Sequence, residues 1–220
     1  MHIPALLQFL KELDENNNRP WFLHNKPHYD ILREEFIALV GQVGAKVAKF
    51  DKELGPFEPK KAVFRIYRDV RFAKDKSPFK NHIGAVLGAR TTDKTRPVYY
   101  FHVDHRGQLL MACGVYMPEA LTIKKIRDYI VAEPAKFAKL LKNKSLNDTF
   151  GGLIEQDRMV RPPKGYAADL PHIDHIKNRH FLCETSINLY KKVPKDLPEM
   201  VAQHFEAAKP LAMWLRQAVM

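Results

Sequence analysis

The stretch RPVYYFHVDHRGQLLMACGVY, at positions 96–116, decides the fold. It holds two apolar runs rich in aromatic and β-branched residues, and the polar residues HRGQ separate them. Strands that follow one another through a short turn pair as antiparallel hairpins. On the first strand, Tyr99 and Phe101 share one face of the expected sheet. Tyr100 and His102 share the other face.

The sequence before the hairpin continues the same pattern. HIGAVLGAR, at 82–90, reads as a further strand, and the polar turn TTDKT at 91–95 joins it to the hairpin. AVFRIYRDV, at 62–70, alternates in a way typical of a strand with Phe64, Ile66 and Arg68 on one face. The segment 60–116 therefore predicts an antiparallel meander of about four strands.

Helical patterns precede the meander. Apolar residues recur at helical spacing from Ile3 to Leu13, and DENNNRP ends that helix. A second, longer amphipathic helix is predicted from Tyr29, with Trp21 and Phe22 stapling the two helices together. Positions 1–55 are thus expected to be helical.

Positions 117–220 predict a mixture of helices and strands. A helical pattern is broken at Pro134, and GGLIEQDRMV reads as a strand. A short helix at HIDHIKN and a strand at HFLCETSINLY follow, and Pro210 is expected to kink or break the terminal helix. The whole chain, 1–220, predicts a single α+β domain in which an antiparallel sheet of about four to six strands packs against amphipathic helices.

Composition limits the class of protein. The 220 residues carry a formal net charge of +11, which favours acidic partners such as nucleic acid or phosphorylated small molecules. No run approaches the roughly 20 apolar residues of a membrane span, and we expect no signal peptide and no membrane partner. Cys113 and Cys183 are predicted to be reduced, buried thiols in a cytoplasmic protein. The sequence does not predict the oligomeric state.

Motifs of cofactor and metal chemistry are missing from the sequence. It has no P-loop, no G-x-G-x-x-G and no G-x-S-x-G, so no cofactor is predicted. Histidines occur in three patches whose spacing does not predict a metal site, namely His24 with His28, His102 and His105 with Asp104, and His172, His175 and His180 with Asp174.

Positive charge is concentrated in KKAVFRIYRDVRFAKDKSPFK, at positions 60–80. This segment holds eight Lys and Arg against two Asp, which is a net charge of +6. The excess cannot be paired locally, and a loop carried on a rigid sheet is a common place for ligand contacts. The pattern predicts an anion-binding site formed by Arg65, Arg68, Arg71, Lys74, Lys76 and Lys80. Asp69 and Asp75 are expected to orient the arginines.

Several segments in order resemble one known family. They are NNNRPWF, PKKAVFRIYRDVRFAKDKSPFKNHIGA, YYFHV, GVYMPE with the helix IRDYI, and RPPKGY. Together they resemble the conserved hypothetical proteins of domain-of-unknown-function family 2461, from Leu6 to the terminal PLAMWL. The resemblance implies a compact α+β domain, bacterial and cytoplasmic in most members, and it implies no reaction.

Three functions remain open from the sequence. The first is binding of a phosphate-bearing ligand or another anion at the basic segment, and an enzymatic version of it would use Tyr67 or Asp69 as acid or base. The second is a nucleic-acid-binding protein that uses its whole basic face. The third is a structural or interaction domain in which the arginines form an internal salt-bridge network.

Overall fold

The computed structural model describes residues 1–88 and 95–220, and its centre is one antiparallel sheet. The sheet has four strands hydrogen-bonded in the order β1-β2-β3-β4. They are β1 (His82–Gly88), β2 (Val98–Asp104), β3 (Gln108–Val115) and β4 (Phe181–Asn188). The predicted α+β class is confirmed. The expected turn at 91–95 lies outside the described residues except for Thr95.

Helices account for most of the remaining regular structure. They are α1 (Ile3–Glu15), α2 (Arg19–Phe50), α3 (Pro59–Ala62), α4 (Ala120–Ala132), α5 (Pro134–Leu141), α6 (Lys144–Phe150), α7 (Ile173–Ile176) and α8 (Leu197–Val219), with a 3₁₀ turn at Lys52–Leu54. None of the helices in the described ranges is long and apolar enough to cross a membrane.

The predicted strand at 62–70 is wrong. Ala62 ends the one-turn helix α3, and the residues that follow make only two isolated bridges, Val63 to Ala85 and Tyr67 to Phe79. Val63 and Ile66 are both buried, and a regular strand cannot place residues three apart on one face. The strand predicted at GGLIEQDRMV is likewise absent, because Arg158 makes a single bridge there, to Asn178. The fourth strand is β4.

Helix boundaries follow the prolines in two different ways. The break predicted at Pro134 is confirmed, since α4 ends at Ala132 and Pro134 takes the first position of α5, where its missing N–H costs nothing. A kink or break was predicted at Pro210, and the break does not occur, because α8 continues through this residue. The second helix begins at Arg19, earlier than predicted, and the Asn18 side chain caps it.

The chain forms two compact units. Unit 1 comprises Met1–Leu87, Tyr100–Met111 and Ser186–Gln203. Its core includes Phe36, whose ring lies 5.5 Å from that of Phe101, and Phe22, which stacks on Phe79 at 4.1 Å. These aromatic contacts hold α2 against β2 and against the basic segment.

Unit 2 comprises Gly88–Tyr99, Ala112–Thr185 and His204–Met220. In its core, the ring of Tyr99 lies 5.1 Å from that of Phe205, and the ring of Phe137 lies 5.0 Å from that of Trp214. Arg127 is buried and donates to the carbonyls of Ile176 and Asn178 at 2.7 and 3.1 Å. This arginine ties α4 to the end of α7.

Candidate functional site

A cleft of about 320 Å³ lies in unit 1, next to the start of β1. The end of α1 forms one side of it, and the segment between α3 and β1 forms the other. Its lining includes Asp14, Asn17, Arg68, Asp75, Lys80 and His82. The cleft therefore combines charged side chains of both signs with an imidazole.

Asn17 fixes the segment that carries Lys80. Its side chain donates to the Phe79 carbonyl at 3.0 Å and accepts from the Phe79 N–H at 3.1 Å. The Phe79 ring is buried against Phe22. Because both backbone groups and the ring of Phe79 are held, the next residue enters the cleft at a defined position.

Arg68 and Asp75 form an ion pair at the rim of the cleft. Asp75 also accepts from the Ser77 hydroxyl at 2.6 Å and from the Ser77 N–H at 2.9 Å. The Ser77 hydroxyl and N–H, followed by Arg68, hold the pKa of Asp75 well below its usual value. Asp75 is therefore ionised at neutral pH and holds the guanidinium of Arg68 in place.

Arg71 and Asp69 form a second ion pair, in the exposed loop. The guanidinium makes a bidentate contact with the carboxylate. Nε of Arg71 lies 3.0 Å from Oδ1 of Asp69, and Nη2 lies 2.7 Å from Oδ2. The hydrogen bonds from the Arg71 side chain and backbone lower the pKa of Asp69 to about 2. This pair is local, since its two members are two residues apart.

Lys80 and Arg68 are the half-buried cations of the segment, and they differ in their partners. Nζ of Lys80 donates to the Arg65 carbonyl at 2.9 Å and lies 5.2 Å from the centre of the Phe64 ring. Burial, followed by the nearby charge of Arg65, lowers the pKa of Lys80. Within the described ranges, 1–88 and 95–220, no carboxylate forms an ion pair with this ammonium group.

Of the six predicted anion-binding cations, the cleft brings together Arg68 and Lys80. The other four, Arg65, Arg71, Lys74 and Lys76, are exposed and lie outside the lining that the described residues form. Among these four, Lys76 donates to the Val70 carbonyl at 3.0 Å, and Arg71 forms an ion pair with Asp69.

A histidine cluster adjoins the cleft and consists of His82, His102 and Tyr100. The rings of His82 and His102 lie 5.0 Å apart, and Nδ1 of His102 lies 2.9 Å from the Tyr100 hydroxyl oxygen. Burial, followed by His102 and Lys80, lowers the pKa of His82 to about 4. Burial also raises the pKa of Tyr100 to about 12. Burial likewise lowers the pKa of His102, so all three groups are uncharged at neutral pH.

The sequence reasoning placed Tyr100 and His102 on one face of β2 but missed His82. The alternation in HIGAV was the available signal, since Ile83 and Ala85 are buried and His82 must face the other way. The register between β1 and β2 brings His82 beside His102, and single-sequence patterns do not fix that register.

The model of the family described as "Conserved hypothetical protein (DUF2461)" matches residues 5–214, nearly the whole chain. The chain belongs to this family. The resemblance seen in the ordered segments is thereby confirmed. No curated protein and no solved structure matches the chain.

In this DUF2461 chain, the two residues considered as acid or base lie apart from the cleft lining. Tyr67 is 49% exposed, and its ring packs against Phe22 and Phe79 at 5.9 and 5.3 Å. Asp69 is engaged by Arg71. Among the described residues that line the cleft, the imidazole is that of His82, which belongs to the histidine cluster.

The other histidine patches have structural contacts. His28 packs its ring edge-on against Phe9 at 5.6 Å, and His172 lies 3.1 Å from the Pro134 carbonyl. His180 accepts from the Met117 N–H at 3.1 Å. Across the part of the chain that is described, no group of three or more His, Cys, Asp or Glu side chains could hold a metal ion.

Proposed function

We propose that this DUF2461 protein binds a small anionic ligand of the phosphate-bearing class in the unit 1 cleft, with Lys80 and Arg68 as its main contacts. The proposal rests on the surroundings of Lys80. Its half-buried ammonium group contacts a carbonyl and an aromatic ring, and no carboxylate of the described residues pairs with it. Removing a charge from water is unfavourable unless the charge gains a partner. A bound anion supplies that partner.

Arg68 suits the second contact. A guanidinium has five N–H donors in a planar fork, and its pairing with Asp75 leaves donors for a ligand. Because Asp75 is itself held by Ser77, the fork is oriented before a ligand arrives. Pre-oriented groups lose little conformational entropy on binding, which favours affinity.

The internal salt-bridge alternative has two specific observations in its favour. They are the ion pairs of Arg68 with Asp75 and of Arg71 with Asp69. Both carboxylates are exposed, and exposed pairs contribute little stability. The alternative also leaves Lys80 without a role, so we rank it below anion binding.

The nucleic-acid alternative rests on the exposed loop. Phe72 is 95% exposed, and the Arg71 guanidinium lies 6.0 Å from the centre of its ring. An aromatic side chain among cations is the arrangement on which single-stranded nucleic acids stack. In this alternative Phe72 and the exposed cations Arg65, Lys74 and Lys76 make the contacts, and the cleft does not.

The test measures the melting temperature of the wild type, Lys80→Met and Lys74→Met. Each protein is measured alone and with sulfate, pyrophosphate, mononucleotides, short DNA or short RNA. Lys74 is the matched control because it is an exposed lysine outside the cleft. A ligand at one hundred times its Kd adds about 2.7 kcal/mol. At about 2–4 °C per kcal/mol for a chain of this size, the melting temperature rises by several degrees.

We expect one class of small anion to raise the melting temperature of the wild type and of Lys74→Met, and to lose that effect in Lys80→Met. An undiminished effect in Lys80→Met would contradict the proposal. The nucleic-acid alternative is favoured if only oligonucleotides stabilise the protein. In that case a plot of log affinity against log salt concentration should have a slope of about −0.9 for each phosphate contacted.

We further propose a cytoplasmic location. Cys113 and Cys183 are both buried thiols, which supports a reducing compartment.

A further inference from the structure

The charges that line the cleft cancel. Among the described residues of the lining, Arg68 and Lys80 contribute two positive charges, and Asp14 and Asp75 contribute two negative ones. With His82 neutral, the formal charge of the lining is therefore zero. A phosphate-class ligand is a dianion at neutral pH, and it would bring two negative charges into a lining with no net charge to meet them.

Among the described residues of the lining, His82 is the one uncharged side chain that can become a cation. It stands on β1 two residues after Lys80, and both residues line the cleft. Its ring is half-buried and 5.0 Å from the ring of His102. A proton on this imidazole would lie beside the position that the ligand occupies.

Charged and titratable groups surround His82 from every side of the cleft. They are Lys80 and Arg68 from the segment before β1, Asp75 from the loop within that segment, His102 and Asp104 from β2, and Asp14 from α1. Asp75 is paired with Arg68, and Asp104 is paired with Arg106. Asp14 accepts from the Asn81 side chain at 3.0 Å, and its carboxylate lies 3.5 Å from Nε2 of His105. Burial and the uncancelled charge of Lys80 therefore keep His82 neutral in the free protein.

His102 does not compete for the proton. Its Nδ1 lies 2.9 Å from the hydroxyl oxygen of Tyr100, a contact that suits a neutral imidazole accepting from that hydroxyl. Burial lowers the pKa of His102 as well. Two adjacent imidazolium rings would also repel each other. Of the two rings in the histidine cluster, His82 is thus the one placed to take up a proton, and it lines the cleft.

We propose that His82 takes up a proton when a dianion of the phosphate class binds in the cleft, so that anion binding and protonation are coupled. This inference rests on the proposed function. The proton comes from solvent, and the cleft gains the positive charge that its lining lacks.

The sign of the pH dependence follows from linkage. The complex binds more protons than the free protein, so the affinity for the dianion rises as the pH falls. Because the pKa of His82 in the free protein is about 4, the rise extends from the higher pKa of the complex down to about that value. Within this window one coupled proton changes the Kd by up to about tenfold per pH unit.

The test is calorimetric titration with sulfate, which does not itself titrate in the range of about pH 5 to 8 where histidines do. The binding enthalpy is measured in buffers that differ in ionisation enthalpy, and its dependence on the buffer gives the number of protons taken up. The proteins compared are the wild type, His82→Gln and His24→Gln. Gln keeps a neutral hydrogen-bonding side chain at position 82. His24 is an exposed histidine of α2 and serves as the control.

We expect the wild type and His24→Gln to take up close to one proton and to bind sulfate more tightly at low pH. His82→Gln should bind more weakly, with no uptake and a flat pH profile. A nuclear magnetic resonance titration of the His82 ring in the wild type, with and without saturating sulfate, measures directly how far sulfate binding raises the pKa of this ring.

Three results would overturn the inference. Sulfate binding that needs Lys80 but takes up no proton would remove the coupling and leave the proposed function standing. Equal proton uptake in His82→Gln would assign the proton to another group of the cleft. If sulfate does not bind the wild type at all, the proposed function fails together with the inference.

Discussion

Gly84 on β1 is the position where one added methyl group tests the packing of the histidine cluster. A Cβ atom there would lie 2.8 Å from Cβ of His102, 3.1 Å from the Phe101 carbonyl oxygen and 3.1 Å from the Tyr100 hydroxyl oxygen. The first two neighbours are a Cβ and a backbone atom, which cannot swing aside. At Gly41 of α2, the nearest atom would be Cγ of Pro59 at 3.4 Å, an ordinary contact.

The two substitutions should change stability in opposite directions. Replacing glycine by alanine inside a helix or strand gains about 0.5–1 kcal/mol from the backbone, so Gly41→Ala should stabilise by that amount. Overpacking a filled site costs about 1–3 kcal/mol, which should leave Gly84→Ala less stable than the wild type. Because the backbone gain is common to both, their difference measures the overpacking term.

Thermal unfolding followed by circular dichroism checks this prediction. At about 2–4 °C per kcal/mol, the melting temperatures of the two variants should differ by roughly 2–12 °C. The resonances of the His102 ring should also shift in Gly84→Ala, because the Tyr100 hydroxyl is displaced, and should stay in place in Gly41→Ala. If both variants melt at or above the wild-type temperature, the packing described around Gly84 is wrong.

Three further predictions concern stability and reactivity. Arg127→Met should destabilise the protein by about 1–3 kcal/mol for each carbonyl left without a donor, as measured by urea unfolding. Cys113 and Cys183 should resist a thiol reagent until the protein is unfolded, since both are buried and burial raises the pKa of Cys183 to about 12. Because Arg71 lowers the pKa of Asp69 to about 2, the stability from that pair is present above the ordinary value of 3.8 and is lost as the pH falls toward 2. Acid unfolding of Asp69→Asn should therefore be less steep than that of the wild type.

The strands β1, β2 and β3 and most helices could be predicted from the sequence. In β2, Tyr99, Phe101 and Val103 alternate with polar residues, and that period of two assigns each side chain to a face without any knowledge of neighbours. The break before α5 was predictable for a similar reason, because Pro134 acts through its own backbone. The joint order of the motifs also identified the family.

Patterns that depend on distant neighbours misled the sequence reasoning. The residues at 62–70 alternate like a strand, but the chain there makes only two bridges and folds its loop back on itself. At Pro210, the local preference for a break was overridden, and α8 buries residues on both sides of the proline, including Phe205 and Leu211. Tertiary burial outweighs local propensity in such cases.

The sequence by itself determined the fold class, the family and the concentration of positive charge at 60–80. Tertiary structure alone decided which of those charges pair with a carboxylate. Arg71 and Arg68 pair with acids of their own loop. Lys80 is fixed through Phe79 by Asn17, which lies 62 residues away from Phe79 in sequence, and no carboxylate of the described residues pairs with it. Pairing of charges depends on distances of a few ångströms, and only the folded chain sets these.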